Sequence, residues 1–139
     1  MKKGFSIFCD GGARRNPGPA AVGFVVFQNN RIVHKFSKRI GETTNNVAEY
    51  RAVIAALEWL ATQSTINQPL SAINFYLDSQ LIVNQLKGNF KIKNSHLQKL
   101  IVRVKNLERK IERKIEYSYV PRCQNKIADA LVNQALNNL

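Results

Sequence analysis

Nine acidic side chains serve 139 residues, and the three aspartates among them occupy distinctive positions. Asp10 and Asp78 directly follow short apolar runs, 5–9 and 73–77, of the kind that form buried strands. Asp129 falls in the first turn of the last helical segment, and Glu49 lies three residues into an earlier one. A carboxylate placed against an apolar strand is costly unless something pairs it. Carboxylates brought together repel and raise one another's pKa. A hard divalent cation relieves that repulsion, and oxygen-only ligation suits Mg²⁺ or Mn²⁺. Chemistry in open α/β sheets usually sits beyond the carboxyl ends of the strands, so two neighbouring strands would bring Asp10 and Asp78 together there. Each acid also has a plainer use. Asp10 before Gly11-Gly12 suits a turn, Glu49 could partner Asn46 in a capping arrangement, and Asp129 could complement a helix dipole.

The elements that must position these groups read as follows. A strand over 5–9 leads to a Gly- and Pro-rich loop over 10–19. Strands over 22–27 and 32–36 flank Gln28-Asn29-Asn30-Arg31, a hairpin because Asn tolerates positive φ. Val47, Tyr50, Val53, Ile54, Leu57 and Leu60 recur at helical spacing from Asn46 to about Thr62. Pro69 marks a loop, and 73–77 is a strand followed by a short helix through Leu86. After a break at Gly88, Ser95 and Gln98 suggest a capping box for a helix that aligns Leu97, Leu100, Ile101, Val104, Leu107 and Ile111. A strand over 115–120, a loop over 121–125 and a helix from Lys126 to about Asn137 complete the chain. The order β-β-β-α-β-α-α-β-α implies an α/β fold, with a mixed five-stranded sheet flanked by helices.

A net charge of +12 points to an anionic partner, nucleic acid or membrane surface. Ten Lys and Arg between Lys87 and Lys114 stand against only Glu108 and Glu112, so this stretch alone carries +8. Lys99 and Arg103, Lys105 and Arg109, and Lys110 and Lys114 are spaced four apart, where like charges weaken a helix. A polyanion-facing surface would account for them; so would a solvated basic face. No apolar run approaches the ~18 residues that would span a bilayer, and a cytoplasmic protein without membrane attachment is expected. Cys9 and Cys123 belong to no metal-binding spacing and are expected as free thiols.

Four segments, in order, together resemble type 1 ribonuclease H. Cys9-Asp10-Gly11-Gly12, running on to Asn16-Pro17-Gly18, is similar to the family's first motif, and Thr43-Thr44-Asn45-Asn46-Val47-Ala48-Glu49-Tyr50 to its second. Leu77-Asp78-Ser79-Gln80 resembles the third, and Asn125-Lys126-Ile127-Ala128-Asp129 the fourth. The resemblance covers essentially the whole chain and implies one ribonuclease H domain over 1–139 with strand order 3-2-1-4-5. It implies Asp10, Glu49, Asp78 and Asp129 as the carboxylates holding two Mg²⁺ ions, for which Mn²⁺ can substitute. It implies hydrolysis of the RNA strand of an RNA/DNA hybrid to 5′-phosphate and 3′-hydroxyl ends. Gly11, Gly12, Asn16, Thr44, Asn45, Asn46 and Gln80 match family positions that contact the hybrid. Small residues at 11 and 12 allow close approach, and amides can read 2′-hydroxyls and minor-groove edges.

Two departures stand out. Many members carry a histidine in the loop before the last aspartate, whereas this loop reads Val120-Pro121-Arg122-Cys123-Gln124-Asn125. Arg122 is the nearest substitute; a guanidinium can hold phosphate but cannot shuttle a proton. His34 and His96 read as ordinary surface residues. Some members also carry a basic protrusion between the third and fourth motifs. The fifty residues separating Asp78 from Asp129 suffice for one helix and a strand but little more, so the protrusion is expected to be absent or shortened and the basic stretch at 87–114 to take over hybrid binding. A monomer with no obligate protein partner is expected. The competing readings are a catalytically silent nucleic-acid-binding module of the same fold and an integrase- or transposase-like nuclease.

Overall fold

The computed structural model describes residues 4–63 and 72–138; the loop expected at Pro69 lies outside them. Three antiparallel strands come first, β1 (Ser6–Ala13), β2 (Gly18–Gln28) and β3 (Arg31–Thr43), followed by α1 (Asn45–Ala61). Then come β4 (Ile73–Leu77), α2 (Gln80–Leu86), α3 (Ser95–Ile111), β5 (Ile115–Tyr119), a 3₁₀ turn (Arg122–Gln124) and α4 (Lys126–Asn137). The sheet order is β3-β2-β1-β4-β5, with β4 parallel to both β1 and β5. The expected topology is the one observed.

The sheet separates two unequal layers. α1, α2 and α3 cover one face over a continuous core that includes Ile7, Phe24, Tyr50, Leu57, Leu60, Phe75, Leu77 and Leu107. α4 covers the other, on a small cluster of Ala21, Val132, Ala135 and Leu136. Both helices reach the sheet where a side chain is missing. A Cβ at Gly11 would lie 2.2 Å from the Ala48 carbonyl oxygen of α1, and one at Gly23 would lie 2.9 Å from the Ala128 carbonyl oxygen of α4. Side-chain-free positions let the backbones approach this closely.

Three boundaries differ from expectation. β1 runs through Asp10-Gly11-Gly12 to Ala13, because β2 begins at Gly18 and pairs with all of it, from Asp10↔Gly23 to Ala13↔Ala20. The loop shrinks to the turn closed by Arg14 N–H donating to Pro19 O at 2.8 Å. β3 likewise extends to Thr43 along the longer β2, with irregularities at Ala20/Ala21 and Val26/Phe27. It is an edge strand, and its Lys35, Lys38 and Arg39 keep the edge polar and mask the strand signal. Finally, α3 is capped by Asn94, whose Oδ1 accepts from Leu97 N–H at 3.0 Å; Gln98 turns back to the Ile92 carbonyl instead of closing a box with Ser95. The hairpin stands as expected, with Asn29 and Asn30 both at positive φ.

Candidate active site

Parallel pairing sets the centre of the site. Ser6, Ile7 and Phe8 pair with Asn74, Phe75 and Tyr76, a constant offset of 68 residues that puts Asp10 level with Asp78. Alternation along β1 turns Ile7, Cys9 and Gly11 toward α1 and leaves Asp10 on the α4 side. Glu49 arrives from α1, whose start is set by Thr44: its Oγ1 accepts from Val47 N–H at 3.2 Å. Glu49 therefore has no capping duty. Asp129 enters from the first turn of α4.

One oxygen from each of Asp10, Glu49 and Asp78 lies within 4.8 Å of the others. Asp10 is 7% exposed, Glu49 8%, and the Asp78 side chain 3%. Burial, with the nearby charges of Asp78 and Asp129, raises the Asp10 pKa to about 8. Burial, then Asp10 and Asp78, raises Glu49 well above the ordinary carboxylate range, opposed by the Gly11 N–H and by Arg122. Glu49 Oε1 is buried without a hydrogen-bond partner. A buried acceptor left unmatched beside two like-charged groups is what a cation ligand looks like before the cation is added. The all-oxygen donor set suits a hard divalent ion. Asp129 stands half-buried beside this trio, where its Oδ2 accepts from Asn133 Nδ2 at 3.4 Å, but does not belong to the tight group.

These groups line a cleft of about 470 Å³ whose wall includes Gly11, Gly12, Arg14, Asn45, Asn46, Ser79, Arg122 and Asn133. Arg122 Nε lies 3.9 Å from Asp78 Oδ2 on a side chain that is 81% exposed. An acidic pocket on so basic a chain is a place for metal and polyanion together.

Residues 8–135 match a family described as reverse transcriptase-like. Among individual relatives, a bifunctional protein of Mycobacterium tuberculosis is 38% identical over 133 residues, 94% of this chain and 35% of that protein. The chain thus spans about a third of that relative's length. A ribonuclease HI of Haemophilus ducreyi is 32% identical over 149 residues, covering 98% of this chain and 92% of the relative. The LC11 ribonuclease H1 isolated from compost superposes with a TM-score of 0.92 at 37% identity, covering 98% of this chain and 97% of that one. The chain belongs to the type 1 ribonuclease H family. The LC11 protein has also been solved in complex with an RNA/DNA hybrid; that structure matches with a TM-score of 0.89 at 38% identity over 96% of both chains.

Within this chain, the residues expected to touch substrate divide by position. Gly11, Gly12, Asn45, Asn46 and Arg122 line the acidic cleft, while Asn16, Thr44 and Asn46 line an adjoining cavity of about 280 Å³. Gln80 is exposed at the start of α2 and belongs to neither wall. Gly11 opens space for α1 more than for a ligand, whereas a Cβ at Gly12 would meet nothing nearer than 3.8 Å. Asn45 and Asn16 brace the site. Asn45 Oδ1 accepts from Ala13 N–H at 2.8 Å, and Asn16 Oδ1 accepts from Asn45 N–H at 2.9 Å.

Asn94 and His96, which the linear sequence did not single out for binding, share the adjoining cavity with Thr44 and Asn46, so the N-termini of α1 and α3 meet there. His34 is no bare surface group either, since its ring stacks on Trp59 at 4.8 Å. Cys9 is buried and Cys123 exposed, and both are free thiols. Among the described residues, no helix is long and apolar enough to cross a membrane.

Proposed function

We propose that this chain is an endonuclease that hydrolyses the RNA strand of RNA/DNA hybrids, leaving 5′-phosphate and 3′-hydroxyl ends. The observation that carries the reading is the convergence of Asp10, Glu49 and Asp78 in one cleft with a Glu49 oxygen left unpartnered. Asp10, Glu49, Asp78 and Asp129 would hold two Mg²⁺ ions, or Mn²⁺ in their place. Such ions lower the pKa of an attacking water and neutralise charge on the departing 3′-oxygen.

The protein's own groups orient the strand. Gly12 would leave room for a substrate backbone to come close, and Asn45 and Asn46 on the cleft wall would offer side-chain amides to 2′-hydroxyls. The donors where α1 and α3 begin suit a phosphate further along the duplex. Arg122, on a largely exposed side chain 3.9 Å from Asp78 Oδ2, would hold a phosphate oxygen there. Lys91 and Lys93, exposed just before α3, extend the basic surface, whereas Arg103 is paired with Glu58 at 2.8 Å. We read residues 1–139 as one such domain acting as a monomer.

The test is cleavage of end-labelled RNA/DNA, RNA/RNA and DNA/DNA duplexes with Mg²⁺ or Mn²⁺, with Asp10→Asn as control. Cutting confined to the RNA of the hybrid, and lost in the variant, is the expected result. Binding without cutting would favour the catalytically silent module, and cutting of DNA/DNA would favour an integrase-like nuclease.

A further inference from the structure

The β1–β4 ladder stops short of the acidic residues it aligns. Phe5 O accepts from Asn74 N–H across that ladder at 3.0 Å, but the register ends at Phe8↔Tyr76. Cys9 O, four residues beyond Phe5 on the same edge, has no rung to join. Its donor comes from elsewhere: Asn125 Nδ2 lies 2.9 Å away. The same Nδ2 reaches Asp78 Oδ2 at 3.5 Å, and the Asn125 carbonyl accepts from Asp129 N–H at 3.1 Å. One residue, 1% exposed, therefore touches the neighbour of Asp10, the carboxylate of Asp78 and the backbone of Asp129.

The orientation of the amide has a single physical reason. Asn125 Oδ1 is buried without a hydrogen-bond partner. Turning the amide over would set that oxygen against the Cys9 carbonyl and the Asp78 carboxylate, both acceptors. The donor end fixes the orientation, and the acceptor end is left unmatched. Asp78 Oδ2 receives both Asn125 and Arg122 from this one segment, which leaves Asp78 Oδ1 uncommitted among the described residues.

We propose that Asn125 is a positioning residue: its amide replaces the missing rung between β1 and β4 and so sets the spacing of Asp10 and Asp78. This rests on the cleft being the nuclease centre. Groups that orient metal ligands through hydrogen bonds are typically worth roughly 10- to 100-fold in metal affinity or activity.

The experiment compares wild type with Asn125→Ala and the isosteric Asn125→Asp, which keeps the shape and loses the donor. Two quantities are read: kcat and KM on the hybrid, and the rise in Tm produced by Mn²⁺. Both variants should lose roughly 10- to 100-fold in kcat with KM little changed, and should show a smaller Mn²⁺-induced rise in Tm. A variant with a lower metal-free Tm but wild-type kcat and an undiminished Mn²⁺ response would mean that Asn125 only holds the fold, and would overturn the proposal. Should Asn125→Ala fail to fold, Asn125→Ser, which can still donate to one acceptor, replaces it, with an intermediate loss expected and wild-type values overturning. A wild-type chain that leaves the hybrid intact would instead sink the reading of the cleft, while the Mn²⁺ response would still report on Asn125.

Discussion

The two faces of the sheet each deliver one carboxylate to the same cleft, and they do so with different rigidity. α1 is pressed into a deep core, meets Gly11 backbone to backbone, and carries Glu49 at 8% exposure into the tight trio. Among the described residues, α4 rests on a cluster of only four buried side chains, Ala21, Val132, Ala135 and Leu136, and on Gly23, and carries a half-buried Asp129 beside the trio. Close packing transmits displacement, because cores resist even small volume changes. The core-side carboxylate is therefore held more firmly than the α4 carboxylate. On the proposed function, a site with one stiff and one softer wall would suit both firm metal binding and release of a cleaved strand.

The sharpest way to break this comparison is to remove the ligands in turn. Glu49→Gln should abolish hybrid cleavage by more than the ~100-fold that loss of an orienting hydrogen bond can cause, measured as single-turnover rate. Asp129→Asn should lose only about 10-fold under the same assay, in keeping with a contribution nearer to an orienting group; equal losses would erase the distinction between the two walls.

The glycines offer a gentler test. Gly11→Ala forces a Cβ against the Ala48 backbone and should destabilise the fold by ~1–3 kcal/mol, shifting Glu49 and cutting kcat. Gly23→Ala should lower Tm by a comparable amount while sparing more of the activity, since it moves only α4. Gly12→Ala, with nothing within 3.8 Å, should leave Tm close to wild type. Denaturation curves and hybrid-cleavage rates on the three variants rank them.

A last test of the Asp10 side of the cleft is the pH dependence of stability. In the metal-free protein Asp10 protonates at about 8, against about 4 in an unfolded chain. Between those values the folded state binds more protons than the unfolded one, so the stability linked to Asp10 falls as pH rises through that window. Asp10→Asn should flatten the decline in metal-free Tm. Metal displaces the same protons, so Mg²⁺ should raise Tm more at about pH 8 than at about pH 6. A wild-type and variant pair with parallel Tm curves would remove Asp10 from this account.

Much of this was readable from residue order. Apolar runs ending in Asp10 and Asp78, the helical spacing from Val47 to Leu60, and the Asn29-Asn30 turn are local signals, set by side-chain period and backbone preference. They led to a mixed five-stranded sheet with Asp10 and Asp78 at its strand ends; the strand order and the set of four carboxylates came from the resemblance to type 1 ribonuclease H. The Gly-rich stretch after Asp10 misled because glycine is ambiguous in isolation: it marks a loop unless another backbone needs its missing side chain, and only packing against α1 reveals that need. β3 was cut short for a related reason, since an edge strand answers to solvent on one side and shows no apolar rhythm.

What the sequence determined by itself was the family and the candidate carboxylates, because motif spacing and carboxylate placement are written along the chain. Tertiary structure alone decided the division between a tight trio and a looser fourth acid, the unpartnered oxygen of Glu49, and the buried contacts of Asn125 with Cys9 and Asp78. Those depend on which atoms meet across 30 to 120 positions of chain, where no periodicity reaches and only the closing of the sheet brings donor to acceptor.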